Sequence, residues 1–165
     1  PAFAKEEDLS NGFINTSRDG FKLALDISCY SLIALCRRAL PLLEVRGGAV
    51  IALTYIGGEK AVKNYNVMGV AKSALESSIR YLAADLGPKN IRVNAISAGP
   101  MRTLAARGIK HFMLMYEGAK DKTPLKRNIK TSEVGDTTSF LCSDLASGIT
   151  GEIIHVDAGY HAIGV

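Results

Sequence analysis

The chain has 165 residues with a net charge of +4, and 47% of its residues are hydrophobic and 22% charged. This length and composition predict one globular domain over residues 1–165 with a hydrophobic core. No apolar run reaches the roughly 18 residues that cross a bilayer, and the mild positive charge does not indicate a nucleic-acid partner, so we expect neither membrane nor nucleic-acid binding.

The predicted elements alternate between helix and strand along the chain. Apolar residues at helical spacing, short apolar runs and glycine or proline breaks define them. In chain order they are a helix over 21–40, a strand over 49–55, a helix over 64–86, a strand over 91–96, a mixed loop and helix over 103–118, a helix over 133–144 capped by Thr131 or Ser132, and a strand over 152–156.

This alternation predicts an α/β fold with a doubly wound parallel sheet covered by helices on both faces. The strand over 49–55 is a continuous apolar run, so we expect it to be buried on both faces. Three strands are few for such a sheet. We therefore interpret the chain as the C-terminal half of a larger fold.

The three cysteines, Cys29, Cys36 and Cys142, form no Cys-x-x-Cys motif. We interpret them as buried, reduced thiols of a cytoplasmic protein. The N-terminal residues also lack the basic and long apolar regions of a secretory signal. The three histidines supply no further ligands at metal-binding spacing, so no metal site is predicted.

Tyr65 and Lys72 lie seven residues apart on the predicted second helix. Seven residues fall about 20° short of two turns, which places both side chains on one face, about 10 Å apart along the axis. A nearby ammonium would lower the pKa of the tyrosine and strengthen it as a proton donor. On spacing alone, however, such a pair equally fits core packing or a surface pair.

The surroundings of this pair point to a ligand site. Tyr55 ends the first predicted strand, and the turn Ser97–Pro100 ends the second. Ligands of open α/β sheets bind beyond the carboxyl ends of the strands. We therefore expect Tyr55, Tyr65 and this turn to meet at one edge of the sheet.

Four segments of the sequence resemble the bacterial-type enoyl-[acyl-carrier-protein] reductases of the short-chain dehydrogenase/reductase superfamily: residues 65–72, 94–100, 140–144 and 151–157. Most of that superfamily carries Tyr-x-x-x-Lys, whereas the six residues between Tyr65 and Lys72 are similar to the enoyl reductase branch. The resemblance implies a Rossmann-like fold, reduction of a trans-2-enoyl thioester in fatty-acid biosynthesis, an NAD cofactor (NADH rather than NADPH), acyl carrier protein as partner and a homotetramer.

The resemblance also implies roles for individual residues. Tyr65 is expected to stabilise the enolate oxygen of the thioester, Lys72 to hold the nicotinamide ribose, and Tyr55 to line the pocket as a second active-site tyrosine. The further cofactor-binding residues it implies are Ala98, Gly99, Pro100, Met101 and Thr103. The further substrate-binding residues are Met68, Ala105, Ala106, Ile109, Phe112 and Met115, although the apolar residues after position 104 equally fit the buried face of any amphipathic helix.

Two features leave alternatives open. The Gly-rich dinucleotide loop of the family is absent from the 165 residues, so we expect weak cofactor binding by this chain alone. An inactive truncated subunit that keeps assembly surfaces, or a 3-oxoacyl-type reductase, remain alternatives. The basic residues Arg107, Lys110, Lys120, Lys122, Lys126, Arg127 and Lys130 predict either a landing surface for an acidic carrier or a solvated loop.

Overall fold

A computed structural model describes residues 1–102 and 112–163, the side chains of Phe112 and Met115 excepted. Its helices are α1 (Glu6–Ser10), α2 (Arg18–Leu25), α3 (Ser31–Leu43), α4 (Asn66–Leu86), α5 (Phe112–Lys122) and α6 (Thr131–Cys142), and its strands are β1 (Gly48–Thr54), β2 (Ile91–Ala98) and β3 (Ile153–Val156). A π-helical segment, Asp26–Tyr30, joins α2 to α3, and a 3-10 turn, Ile56–Gly58, follows β1.

The strands form one parallel sheet in the order β1-β2-β3, which confirms the predicted α/β class. Helix α4 connects β1 to β2, and α5 and α6 lie between β2 and β3 in the sequence. At the carboxyl end of the sheet, Thr54, Ser97 and His155 stand side by side in register. This row is the edge at which the predicted site residues should meet.

The two faces of the sheet are covered by different helices because successive strand residues point to opposite sides. On β2, Val93 and Ala95 belong to a core with α3 and α4, whereas Ile96 and Ala98 belong to a second core with α6. The buried Asn94 binds the β3 side of the sheet, since its amide donates to Ile149 O at 2.9 Å and its oxygen accepts from Glu152 N at 3.0 Å.

The prediction that the first strand is buried on both faces is wrong. Residues of β1 are mostly half-buried, and Leu53 is 51% exposed. Within the described residues β1 pairs with β2 alone and so lies at the edge of the sheet. An apolar run identifies a strand, but it does not reveal which neighbours cover that strand.

Several element boundaries differ from the prediction by a few residues. The first long helical region begins at Arg18, where the Ser17 hydroxyl accepts from Gly20 N at 3.0 Å, and it continues past Pro41 to Leu43. Strand β2 runs two residues further, to Ala98. The most C-terminal helix starts at Thr131 rather than Glu133, with the Glu133 carboxylate accepting from Lys130 N at 2.7 Å.

The cysteine prediction holds for two residues. Cys29 and Cys36 are buried, whereas Cys142, in the last turn of α6, is exposed. Across the described ranges, we find no helix long and apolar enough to cross a membrane.

Candidate active site

Tyr65 immediately precedes α4, and the chain around it is shaped by two asparagines. Asn64 and Asn66 adopt positive φ values of 63° and 38°, a backbone region that asparagine enters more readily than most residues. The Asn66 amide donates to Leu9 O at 2.8 Å and to Asn11 O at 2.6 Å. These bonds tie the start of α4 to the end of α1, and they fix the position from which the Tyr65 side chain projects.

The two tyrosines predicted for the site meet as expected. The rings of Tyr55 and Tyr65 pack edge to face with their centroids 5.1 Å apart. Tyr65 is buried, and Tyr55, directly after β1, is half-buried. Gly57 lies between them: a Cβ there would overlap the Tyr65 ring and lie 3.3 Å from the Tyr55 ring. The glycine turn after β1 therefore lets the two rings approach each other.

Lys72 is buried on α4, with 8% of its surface exposed. Its Nζ donates to the carbonyl of Leu53 at 2.8 Å, at the end of β1. An ammonium has three donors, so this bond leaves capacity for other acceptors such as ribose hydroxyls. Burial lowers the pKa of Lys72, and the charge of Glu76 opposes that shift.

The predicted lowering of the Tyr65 pKa by a nearby ammonium is wrong, because the pKa is raised. Burial raises the pKa of Tyr65, and the neighbouring Tyr55 and Glu76 raise it further. Burial, with a smaller contribution from Tyr160, raises the pKa of Tyr55 to about 12. The Lys72 ammonium is bound to a strand carbonyl, and removal of water around the phenol dominates. Both tyrosines are therefore neutral hydroxyl donors at physiological pH.

The predicted cofactor turn follows β2. Gly99 N donates to Val156 O at 2.8 Å, and a Cβ at Gly99 would lie 3.0 Å from Asp157 Cα, so a glycine lets the ends of β2 and β3 approach. Ala98 and Pro100 are buried, while Met101 packs partly buried against the second core. Thr103 lies outside the described residues.

The predicted substrate residues divide into two groups. Met68 is buried beside Tyr65, where its Sδ accepts from the Ser28 hydroxyl at 3.6 Å. For the others no side-chain position is described: Ala105, Ala106 and Ile109 lie outside the described residues, as do the side chains of Phe112 and Met115. A cleft of about 340 Å³ opens against Tyr65, with Phe13, Val62 and Val70 among its lining residues.

Two residues of the site, Glu76 and Thr54, were not predicted from the sequence. The buried face of α4 is apolar except for Lys72 and Glu76, one turn apart. Glu76 is 6% exposed and accepts a 2.6 Å hydrogen bond from the Thr54 hydroxyl at the end of β1. A second charge on an apolar helix face, four residues after the lysine, was the available signal.

The basic stretch is more neutralised than the sequence indicates. Arg127 binds both carboxylate oxygens of Glu133, at 2.7 and 2.9 Å, and Lys120 binds Glu117 at 3.2 Å. Lys126 donates to the Asp121 carbonyl.

In the part of the chain that the structure describes, no three His, Cys, Asp or Glu side chains come together as a metal site would require.

Comparison with known proteins places these features in a family. The profile of the family described as "Enoyl-(Acyl carrier protein) reductase" matches residues 1–161. The chain is 57% identical over 162 residues to the enoyl-[acyl-carrier-protein] reductase [NADPH] of Staphylococcus aureus (strain MRSA252), covering 98% of this chain and 63% of that protein. It is 56% identical over 164 residues to the [NADH] enzyme of Aquifex aeolicus, covering 99% and 61%.

The fold agrees with solved structures. The Bacillus cereus enoyl-acyl carrier protein reductase, determined with NADP+ and indole naphthyridinone, superposes with a TM-score of 0.96 at 55% identity, covering 99% of this chain and 63% of that one. The Aquifex aeolicus reductase structure gives the same TM-score and identity. The chain thus has the fold of these Rossmann-type reductases and spans about three fifths of the length of the relatives it matches.

Proposed function

Because this chain belongs to the enoyl-(acyl carrier protein) reductase family, we propose that it forms the catalytic part of an enzyme that reduces trans-2-enoyl thioesters in fatty-acid biosynthesis. The observation that carries the proposal is the tyrosine pair. Tyr55 and Tyr65, 5.1 Å apart between ring centroids, lie at the carboxyl end of β1, and the buried Lys72 of α4 binds Leu53 O at the same end. In α/β sheets this is the edge where ligands bind.

Tyr65 acts in this proposal as a neutral hydrogen-bond donor. Its raised pKa keeps the hydroxyl protonated, so it can donate to the thioester oxygen as negative charge develops there. A donor already aimed at the developing charge stabilises the transition state more than the ground state. Tyr55 packs against the Tyr65 ring and restricts its rotation.

The residues present fit the nicotinamide-ribose end of a dinucleotide. A bound reduced nicotinamide would supply the hydride for C3 of the substrate. Lys72 would hold the ribose hydroxyls through the donors that Leu53 O leaves free, and the Ala98–Met101 turn would flank the nicotinamide. The relatives include both NADPH- and NADH-named enzymes at similar identity; NADH stays our prediction for this chain.

A chimaera tests the proposal. Residues 1–161 replace the matching segment of the Aquifex aeolicus reductase, and oxidation of NADH and of NADPH is followed with a trans-2-enoyl thioester and, in parallel, with a 3-oxoacyl thioester. We expect turnover of the enoyl substrate. Turnover of the 3-oxoacyl substrate alone, or of neither by a folded chimaera that binds cofactor, would overturn the proposal.

We also propose acyl carrier protein as the partner that presents the substrate. The supporting feature is the basic region around α5, although two of its cations are already paired with Glu117 and Glu133. The field that remains should act mainly on the association rate. Neutralising Lys122 and Lys130 should slow turnover of carrier-bound substrate at low salt and leave a small thioester unaffected.

The homotetramer and the cytoplasmic location belong to the same proposal. Helices α3 and α4 expose large apolar side chains, among them Leu35 (57%), Leu42 (80%) and Tyr81 (76%), and symmetry-related copies of these helices would cover them. Free thiols at all three cysteines suit a reducing compartment. Sedimentation of the chimaera and of its Leu42→Lys variant tests the assembly.

A further inference from the structure

Glu76 is a buried acid that the proposed reaction does not yet use. It lies on α4 one turn after Lys72 and is 6% exposed. A carboxylate is rarely buried to this degree without a partner, because the loss of its hydration costs several kcal/mol. Its position beside the catalytic elements therefore calls for a reason beyond packing.

The contacts of Glu76 converge on the segment that carries Tyr55. Its Oε1 accepts from the Thr54 hydroxyl at 2.6 Å, directly before Tyr55. On the other side of Tyr55, a Cβ at Gly58 would run into the same carboxylate. The carboxylate thus lies beneath the glycine turn and touches the chain on both sides of Tyr55.

Lys72 binds the adjacent residue of the same strand end. Its ammonium donates to Leu53 O at 2.8 Å, while Glu76 holds Thr54. The two charged side chains on the apolar face of α4 therefore form hydrogen bonds with two consecutive residues of β1. Because each has its own hydrogen-bond partner, the two opposite charges act on each other through space, and little water is present to screen them.

We propose that Glu76 is a positioning residue of the proposed reaction: its carboxylate fixes the end of β1 and the glycine turn for the tyrosine pair, and it supplies the counter-charge of Lys72. The inference rests on the proposed function for its catalytic meaning. The directions of the pKa shifts agree with it, since the charge of Glu76 raises the pKa of Lys72 against the effect of burial.

Other charged groups reach Glu76 from each element around it. Burial raises the pKa of Glu76, the Thr54 hydrogen bond lowers it, Glu59 on the glycine-turn side raises it, and Arg80 on α4 and His155 on β3 lower it. The Glu59 carboxylate accepts from His155 Nε2 at 2.8 Å, and the two residues act on the pKa of Glu76 in opposite directions. Toward the site, the charge of Glu76 acts on Lys72 and on Tyr65.

Three variants separate the effect of the Glu76 charge, the effect of its hydrogen bond with Thr54, and the effect of removing any carboxylate. Glu76→Gln removes the charge and keeps an oxygen that can accept from Thr54. Thr54→Val removes the hydrogen bond and keeps the charge. Glu152→Gln removes a carboxylate from an exposed side chain at the start of β3 and is the matched control.

In the chimaera, we expect Glu76→Gln to raise the KM for the nicotinamide cofactor, to move the high-pH limb of kcat/KM to lower pH, and to lower kcat/KM about 10- to 100-fold, the cost of slight misplacement of reacting groups. Glu152→Gln should match the parent. Thr54→Val should lower kcat with the high-pH limb unmoved. A folded Glu76→Gln variant with the parent's cofactor KM and pH profile would overturn the inference.

A second measurement on the 165-residue chain does not depend on turnover. The Lys72 side-chain NMR signal, assigned by its loss in Lys72→Met, should titrate at lower pH in Glu76→Gln than in the parent; an unchanged titration overturns the inference. If Glu76→Gln does not fold, Thr54→Val decides, and parental kcat refutes the positioning role. If the parent chimaera shows no enoyl turnover, the proposed function is refuted. The Lys72 titration then still tests whether the charge of Glu76 acts on Lys72.

Discussion

Gly57→Ala tests how tightly the tyrosine pair is built. The backbone of Gly57 does not need a left-handed φ, so the requirement is for space alone. A Cβ there would lie 2.7 Å from Tyr65 Cε1 and closer still to Cδ1, whereas carbon atoms pack best at about 3.5–4.0 Å. The ring must therefore retreat by about 1 Å, into a cluster that contains Leu9, Val67 and Met68.

Overpacking of this kind costs about 1–3 kcal/mol of unfolding free energy. Urea unfolding of the chain followed by circular dichroism measures it. Gly135→Ala is the matched control: it lies in α6 with nothing within 4 Å of an added Cβ, and it should stabilise by about 0.4–1 kcal/mol. Equal stability of Gly57→Ala and the parent would refute the packing argument.

Three further predictions concern titration and the end of β3. With its pKa raised to about 12 by burial, Tyr55 should stay protonated in an ultraviolet titration through the ordinary tyrosine pKa of about 10. The stability that this shift contributes is present below about pH 10 and should be lost as the pH rises through about 12. Hydrogen bonds from Arg127 lower the pKa of Glu133 to about 2. The contribution of Glu133 to the unfolding free energy should therefore be present above the ordinary glutamate pKa and lost as the pH falls towards about 2. In an NMR titration, Arg127→Gln should raise the pH at which Glu133 is half-protonated. Asp157→Asn should lower the unfolding free energy by about 1–3 kcal/mol, because the buried carboxylate accepts two backbone N–H groups that an amide cannot both satisfy.

Periodicity and turn residues were enough to predict the parallel sheet and α4. The prediction succeeded because the pattern of α4 is set by its own sequence, with apolar residues such as Leu75, Ile79 and Leu82 on one face. It failed where an outcome depends on neighbours. The exposure of β1 follows from which strands and helices lie beside it, and the start of α6 follows from a carboxylate that reaches back to Lys130 N.

The candidate site shows the same division. The strand end and the start of α4 were enough to predict that Tyr55 and Tyr65 meet, as their ring contact confirms. Lys72 lies on the same helix and binds the end of β1. The sign of the pKa shift of Tyr65 was missed because it depends on how much water the fold removes from the phenol. For Glu76, the second charge on an apolar helix face was a weak signal, because the sequence alone does not show that the end of β1 places the Thr54 hydroxyl against it.

Replacement of Tyr65 by phenylalanine tests the central claim most directly. In the chimaera, kcat/KM for a trans-2-enoyl thioester is compared between the parent, Tyr65→Phe and Tyr81→Phe, the last removing a hydroxyl from a side chain that is 76% exposed. Loss of a donor to the developing oxyanion should lower the rate of Tyr65→Phe about 100-fold, with Tyr81→Phe at the parent rate. Parental turnover by Tyr65→Phe would contradict the account.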